Sequence, residues 1–225
     1  MMNYVIDKND VLACLGHSDQ PIDDKLEKLI DDTIALSYEY IKPLNVYGIF
    51  DIRLDNGKIY FTDIFEVKSE DLYKLLKYSK KAVLAAFTLG SEIEQNIKRF
   101  SYTEINKALV MDCCAAAAIE SYADNVLNNI SIELKNDSFN LTNRFSCGYG
   151  DFYLSHQSDI ISALCAKKRI GLNCDDNNML YPKKSMTAVI GITDNNINHK
   201  YYAGCENCAA KNICKYRKAG KTCAT

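Results

Sequence analysis

Residues 46–61 carry the sequence VYGIFDIRLDNGKIYF, which holds the clearest β-hairpin signal in the chain. Two strand-like segments, 46–54 and 58–61, flank the tripeptide Asp55-Asn56-Gly57. An Asn-Gly pair tolerates the positive φ angles that a tight hairpin turn requires. The stretch therefore predicts a pair of antiparallel strands.

Helix-like and strand-like segments follow one another around this hairpin without a regular β-α alternation. Apolar spacing and small-residue runs predict helices over 24–41, 69–79, 91–99, 103–129 and 157–168, strands over 81–88 and 185–193, and a short strand and loop within 131–143. Such interspersion favours an α+β fold, in which a mostly antiparallel twisted sheet packs with helices.

Composition describes an ordinary globular chain. Its 225 residues are 48% hydrophobic and 25% charged, which is enough apolar surface for a sizeable core. The formal net charge of −2 and the lack of a basic stripe argue against a nucleic-acid binder. No signal peptide and no membrane-spanning apolar run is evident, so we expect a cytoplasmic protein without a membrane partner. The character of the sequence changes near residue 200, which predicts one domain over 1–199 and a cysteine-rich tail over 200–225.

The most unusual stretch is RFSCGYGD, residues 144–151. Gly148 and Gly150 flank Tyr149 and allow a sharp backbone bend. Arg144 offers a planar fork that suits a carboxylate, and Tyr149 offers a flat face with one hydroxyl. These residues indicate a clamp for a small zwitterionic or nucleoside-like ligand. The alternative is a plain turn in which Arg144 pairs with an acid and Tyr149 packs.

In this stretch an Arg is followed, after three residues, by Gly-Tyr. That order resembles the S-adenosylmethionine-binding motif of the reactivation domain of cobalamin-dependent methionine synthase. Residues 85–112 and the segment Met179 to Ser185 (MLYPKKS) resemble the context of that motif in short, stand-alone members of the family. The resemblance covers about residues 80–195, and more weakly the N-terminal third.

The resemblance implies a role for each matching position. Arg144 is expected to bind the ligand carboxylate, and Ser146 to contribute backbone contacts. Tyr149 is expected to line the ligand, with Gly148 and Gly150 allowing close approach. Glu120 is expected to face the ligand amino group, although a solvated helix face is an equally open interpretation.

The family's task is the repair of oxidised cobalamin, which needs one electron and a methyl group from S-adenosylmethionine. The resemblance therefore implies an accessory protein that acts on a cobalamin-bearing methionine synthase or a related corrinoid protein and does not complete methionine synthesis alone. Because the cofactor carries the hard chemistry, we predict no catalytic side chain.

The tail contains Cys205, Cys208, Cys214 and Cys223, four of the ten cysteines. A Cys-x-x-Cys pair with two further thiolates suits one metal centre, which would be a structural zinc or an iron–sulfur cluster. A tail of thiols without metal remains the alternative. Two rival interpretations of the whole chain are open. One is an iron–sulfur electron-transfer protein that works through this tail. The other is a ligand sensor that has the fold of the reactivation domain without its role in methyl transfer.

Overall fold

The computed structural model describes residues 4–17, 20–136 and 139–194, and Asn212 beyond them. The helices are α1 Lys8–Leu15, α2 Asp24–Tyr40, α3 Glu70–Leu76, α4 Glu92–Thr103, α5 Ile105–Asn136, α6 Gln157–Ala163 and α7 Ala166–Ile170. The strands are β1 Leu44–Asp55, β2 Lys58–Phe61, β3 Phe65–Lys68, β4 Lys81–Thr88, β5 Phe139–Leu141, β6 Asn173–Cys174, β7 Leu180–Tyr181 and β8 Ser185–Asp194. Within these residues, no helix combines the length and apolar composition that a bilayer crossing requires.

Six strands form one sheet in the order β3-β2-β1-β4-β8-β5, and every neighbouring pair is antiparallel. The predicted hairpin is its β1–β2 pair, in which Asp55 faces Lys58 across the Asn56-Gly57 turn. Both turn residues have positive φ, 48° and 78°. Strands β6 and β7 form a separate antiparallel pair. The predicted α+β class with a mostly antiparallel sheet is confirmed.

Helices cover both faces of the sheet, so its central strands are buried on each side. Successive side chains of a strand point to opposite faces. In β4, Val83, Ala85 and Phe87 join a core with α1, α2, α4 and α5, whereas Ala82, Leu84 and Ala86 join a second core with α3, α6 and α7. Burial on both sides explains why β4 is apolar throughout and does not alternate with polar residues.

Helix α5 crosses one face of the sheet with its small side chains against the core. Cys114, Ala115, Ala118 and Ala123 are fully buried. Small residues let the helix backbone approach its neighbours closely, while another side of α5 is exposed to solvent. That side carries Glu120, and it becomes one wall of the candidate site.

Three parts of the predicted element order need correction. The predicted helix over 157–168 is two helices, α6 and α7, separated at Cys165, whose φ is +49°. Helix α5 continues to Asn136, so the predicted strand and loop over 131–143 contain only the short strand β5. The sequence patterns do not predict helix α1 or the strands β3, β6 and β7. The domain boundary near residue 200 lies outside the described residues and stays a prediction.

Candidate ligand-binding site

The segment that holds the motif is fixed to the sheet at Phe145. Its backbone N–H donates to the Val189 carbonyl at 2.9 Å, and the Val189 N–H donates back at 2.8 Å. The Phe145 ring stacks on Phe152 with centroids 6.3 Å apart, inside the second core. Because neighbouring side chains of an extended segment point to opposite sides, Arg144 is directed the other way, toward α5.

Arg144 lies against two carboxylates on α5. Its Nη2 donates a short hydrogen bond to Glu120, and its Nη1 lies 2.9 Å from Asp124 Oδ1. The Arg144 side chain is 21% exposed, whereas those of Glu120 and Asp124 are about half exposed, at 53% and 48%. The guanidinium is therefore held between the helix and the motif, with the carboxylates on its solvent side.

The two ends of the Arg144 fork are not equally satisfied. Nη1 is buried and makes no hydrogen bond among the described residues, because its contact with Asp124 has ion-pair distance without hydrogen-bond direction. The charge at Nη1 is paired with Asp124, but its N–H groups have no well-directed acceptor. A ligand carboxylate placed at the fork would supply one.

Burial raises the pKa of Asp124, and the neighbouring Arg144 charge opposes the rise. A nearby cation therefore favours the ionised form of Asp124. A ligand that carries an ammonium group beside its carboxylate would provide one when Arg144 turns to the ligand. Glu120 and Asp124 are one helical turn apart, so a single ammonium can approach both.

A tight turn follows Arg144 at residues 146–152. The Tyr149 N–H donates to the Ser146 carbonyl at 3.2 Å, the Phe152 N–H to Tyr149 at 3.0 Å, and the Gly148 N–H to Phe152 at 2.7 Å. Gly148 and Gly150 have φ of +91° and +53°, in the left-handed region that favours glycine. A Cβ at residue 150 would also collide with the Asp71 carboxylate. The turn therefore needs its glycines.

Tyr149 lies at the tip of this turn with 58% of its surface exposed. It is not part of either core. Cys147 is different, because its side chain is buried and burial raises the pKa of its thiol to about 12. Cys147 therefore stays protonated and packs as a small apolar residue inside the motif.

Asp151 fixes the far end of the turn to helix α3. Its carboxylate accepts hydrogen bonds from Ser69 Oγ at 2.5 Å, the Glu70 N–H at 2.6 Å and the Asp71 N–H at 3.2 Å. Burial alone would raise the pKa of Asp151, but these hydrogen bonds outweigh it and hold that pKa below its usual value. The motif is thus fixed to β8 at one end and to an α-helix N-terminus at the other.

Replacing Asp151 with alanine is expected to lower the free energy of unfolding by about 1–2 kcal/mol at pH 7, the range for a lost helix cap. A carboxyl with a depressed native pKa stabilises the fold above its unfolded pKa of about 3.9 and loses that effect as the pH falls through the native pKa. The free energies of unfolding of wild type and Asp151→Ala, measured by urea denaturation, should therefore begin to converge below about pH 4 and coincide only below the depressed native pKa. Asp176→Ala, at an exposed carboxylate, is the matched control, and an equal loss in it would contradict the cap.

Comparisons with known proteins identify a solved structure with a similar fold. No family model matches the chain, and no curated protein matches it. Among solved structures, the chain is similar to the crystal structure of the MetH reactivation domain bound to AdoHcy. The TM-score is 0.60 at 15% sequence identity, and the match covers 82% of this chain and 69% of that one. The chain has the fold of that reactivation domain.

The structure brings together the predicted site residues at one place on this fold. Arg144 and Glu120 are in direct contact, and Ser146, Gly148, Tyr149 and Gly150 form the adjoining turn. The alternative interpretation of Arg144, in which it pairs with an acid, agrees with its contacts to Glu120 and Asp124. Sequence reasoning missed Asp124, although its position four residues after Glu120 places it on the same helix face.

Proposed function

We propose that this chain binds S-adenosylmethionine and supports the reductive methylation of cobalamin on a separate methionine synthase or related corrinoid protein. The observation that carries the proposal is the Arg144 fork, with one buried donor unused, beside the exposed Tyr149 turn. The fold adds support, because the reactivation domain that shares it was crystallised with AdoHcy, which differs from S-adenosylmethionine by one methyl group.

The residues of the site fit the charges of this ligand. Its carboxylate would take the Arg144 fork, including the unused Nη1 donor, in a charge-assisted pair. Its ammonium would replace Arg144 as the cation beside Glu120 and Asp124. The backbone of the turn and the Tyr149 ring would lie along the rest of the molecule. Binding would thus exchange the internal pairing of Arg144 with Glu120 and Asp124 for two pairings with the ligand, one at its carboxylate and one at its ammonium.

The role of the chain in the reaction is to position the methyl donor. The sulfonium group makes the methyl group transferable without a general base, so the site needs binding and orientation more than acid–base chemistry. The described site agrees with this requirement, since the one thiol of the motif, Cys147, is buried and protonated. The nucleophile would come from the cobalamin of the partner.

Calorimetric titration with S-adenosylmethionine tests the proposal directly. One molecule is expected to bind per chain. The matched control is 5′-methylthioadenosine, which keeps the nucleoside and lacks the amino-acid end. Because the Arg144 and Glu120 contacts go to that end, the control should bind about tenfold more weakly or worse. Absence of binding by S-adenosylmethionine would contradict the proposed function, and equal binding of both compounds would contradict the assigned orientation.

A second prediction concerns the cobalamin-bearing partner protein. The chain should bind the isolated cobalamin module of a methionine synthase more tightly in its cobalt(II) form than in its methylcobalamin form. A protein favours a state only to the extent of its differential affinity for that state. Titration of the same module in the two forms measures that difference. Equal affinity for both forms would argue against a reactivation role.

The tail cysteines at 205, 208, 214 and 223 lie outside the described residues, and we propose that they hold one metal centre. No group of three or more metal-ligating side chains occurs among the described residues. Anaerobically purified protein should contain about one zinc ion or one iron–sulfur cluster per chain. Replacing one tail cysteine by serine should remove most of the metal, whereas Cys165→Ser or Cys174→Ser should not. Metal retained after all four replacements would contradict the proposal.

A further inference from the structure

Three cysteines meet where helix α1 packs on helix α5, away from the ligand-binding motif. Cys14 lies near the end of α1, and Cys113 and Cys114 lie side by side on α5. The thiol of Cys113 hydrogen-bonds to that of Cys14. Cys113 and Cys114 are buried, whereas Cys14 is only partly buried.

The segment around Cys14 is held firmly in place. Before α1, the Val5 N–H donates to Ser121 Oγ of α5 at 2.9 Å, and the Ile6 N–H donates to Tyr38 Oη at 2.8 Å. After α1, the His17 N–H donates to the Leu12 carbonyl at 2.9 Å and closes the helix. The two thiols are therefore kept in contact by the packing of the helices, and little chain entropy remains to be lost on linking them.

A metal is a poor explanation for this cluster, because the described residues contain no group of three ligating side chains arranged to hold one. The thiols also differ in reactivity. The hydrogen bond to Cys14 and burial raise the pKa of Cys113, and burial raises that of Cys114 to about 11. Cys14 is thus the one cysteine of the cluster whose side chain is not fully buried, so a small disulfide reaches it first.

We propose that Cys14 and Cys113 are a redox modification site that closes to an intramolecular disulfide between α1 and α5. The oxidant is a small disulfide such as oxidised glutathione. The Cys14 thiolate attacks one of its sulfurs and releases one glutathione thiol. Cys113 then loses its proton to solvent and attacks the Cys14 sulfur, which releases the second glutathione thiol. Two protein thiols are oxidised and one glutathione disulfide is reduced to two thiols.

Peptide mapping of the full chain tests this pairing. Protein held in oxidised glutathione is blocked with N-ethylmaleimide and digested with trypsin without reductant. Tryptic peptide 9–25 contains Cys14, and peptide 108–135 contains Cys113 and Cys114. A linked species lighter by two hydrogen atoms than the two peptides together is expected, and dithiothreitol should abolish it. Cys14 recovered only as a glutathione adduct, or linked to a tail cysteine, would overturn the proposal.

Cysteine variants show whether Cys113 or Cys114 is the disulfide partner of Cys14. Cys113→Ser should abolish the linked peptides, and the adjacent Cys114→Ser should retain them. The reverse pattern would overturn the assignment to Cys113. Oxidation should also raise the urea midpoint of wild type, because the bond closes a loop of about 100 residues in the unfolded chain. Cys113→Ser should show no such shift, and an equal shift in it would also contradict the pairing.

Discussion

Replacing Arg144 with alanine is expected to weaken S-adenosylmethionine binding by about 1.5–3 kcal/mol, or roughly 10- to 150-fold. The variant loses the guanidinium that pairs with Glu120 and Asp124 on α5. It also leaves Glu120 and Asp124 as two unpaired carboxylates, which repel the ligand carboxylate. Calorimetry at neutral pH measures the change.

The choice of ligand makes this result specific. Because 5′-methylthioadenosine has no carboxylate, its affinity should be nearly the same for wild type and Arg144→Ala. Arg144→Lys keeps the charge and loses the fork, so its affinity for S-adenosylmethionine should lie between those of wild type and Arg144→Ala. Arg53→Ala is the matched control, since Arg53 pairs with Asp55 on β1 and not with the motif. Unaltered S-adenosylmethionine affinity in Arg144→Ala would remove Arg144 from the site.

Replacing Phe152 with alanine is expected to lower the free energy of unfolding by about 3–5 kcal/mol, the range for a deleted core phenylalanine. Phe152 is fully buried, and its ring stacks on Phe145 at 6.3 Å and on His156 at 5.6 Å between centroids. Most domains are stable by only about 5–15 kcal/mol, so this is a large share of the total. Urea denaturation gives the value.

Phe152 also closes the motif turn, since its backbone exchanges hydrogen bonds with Gly148 and Tyr149. The still-folded Phe152→Ala protein is therefore expected to bind S-adenosylmethionine more weakly, although no contact to the ligand is removed. Tyr153→Ala provides the matched control, because Tyr153 is 68% exposed and should change stability by no more than about 0.5 kcal/mol. A similar loss in both variants would contradict the role given to Phe152.

Local sequence patterns determined much of the fold. The β4 strand has the predicted bounds, because an apolar run of that length ending before Gly90 has few alternatives to a buried strand. The Asn56-Gly57 hairpin was predictable from turn chemistry alone. Both features depend on neighbouring residues in the chain, and tertiary contacts reinforce them.

Features that depend on tertiary contacts were not predictable in this way. Helices α6 and α7 are separated at Cys165, where a non-glycine residue takes a left-handed conformation that local propensity does not favour. Helix α1 is short and is held by contacts with α5. The pairing of Arg144 with Asp124 joins residues from a loop and a helix, and its geometry appears only when both pack on the same sheet.

A crystal structure of the protein with S-adenosylhomocysteine tests the central claim most directly. The account predicts the ligand carboxylate on the Arg144 fork, within hydrogen-bond distance of Nη1. It also predicts that the Arg144–Glu120 hydrogen bond opens, that the ligand ammonium lies beside Glu120 and Asp124, and that Tyr149 contacts the nucleoside. A ligand bound elsewhere on the fold, or bound at the turn with the Arg144–Glu120 pair intact and the carboxylate in solvent, would contradict it.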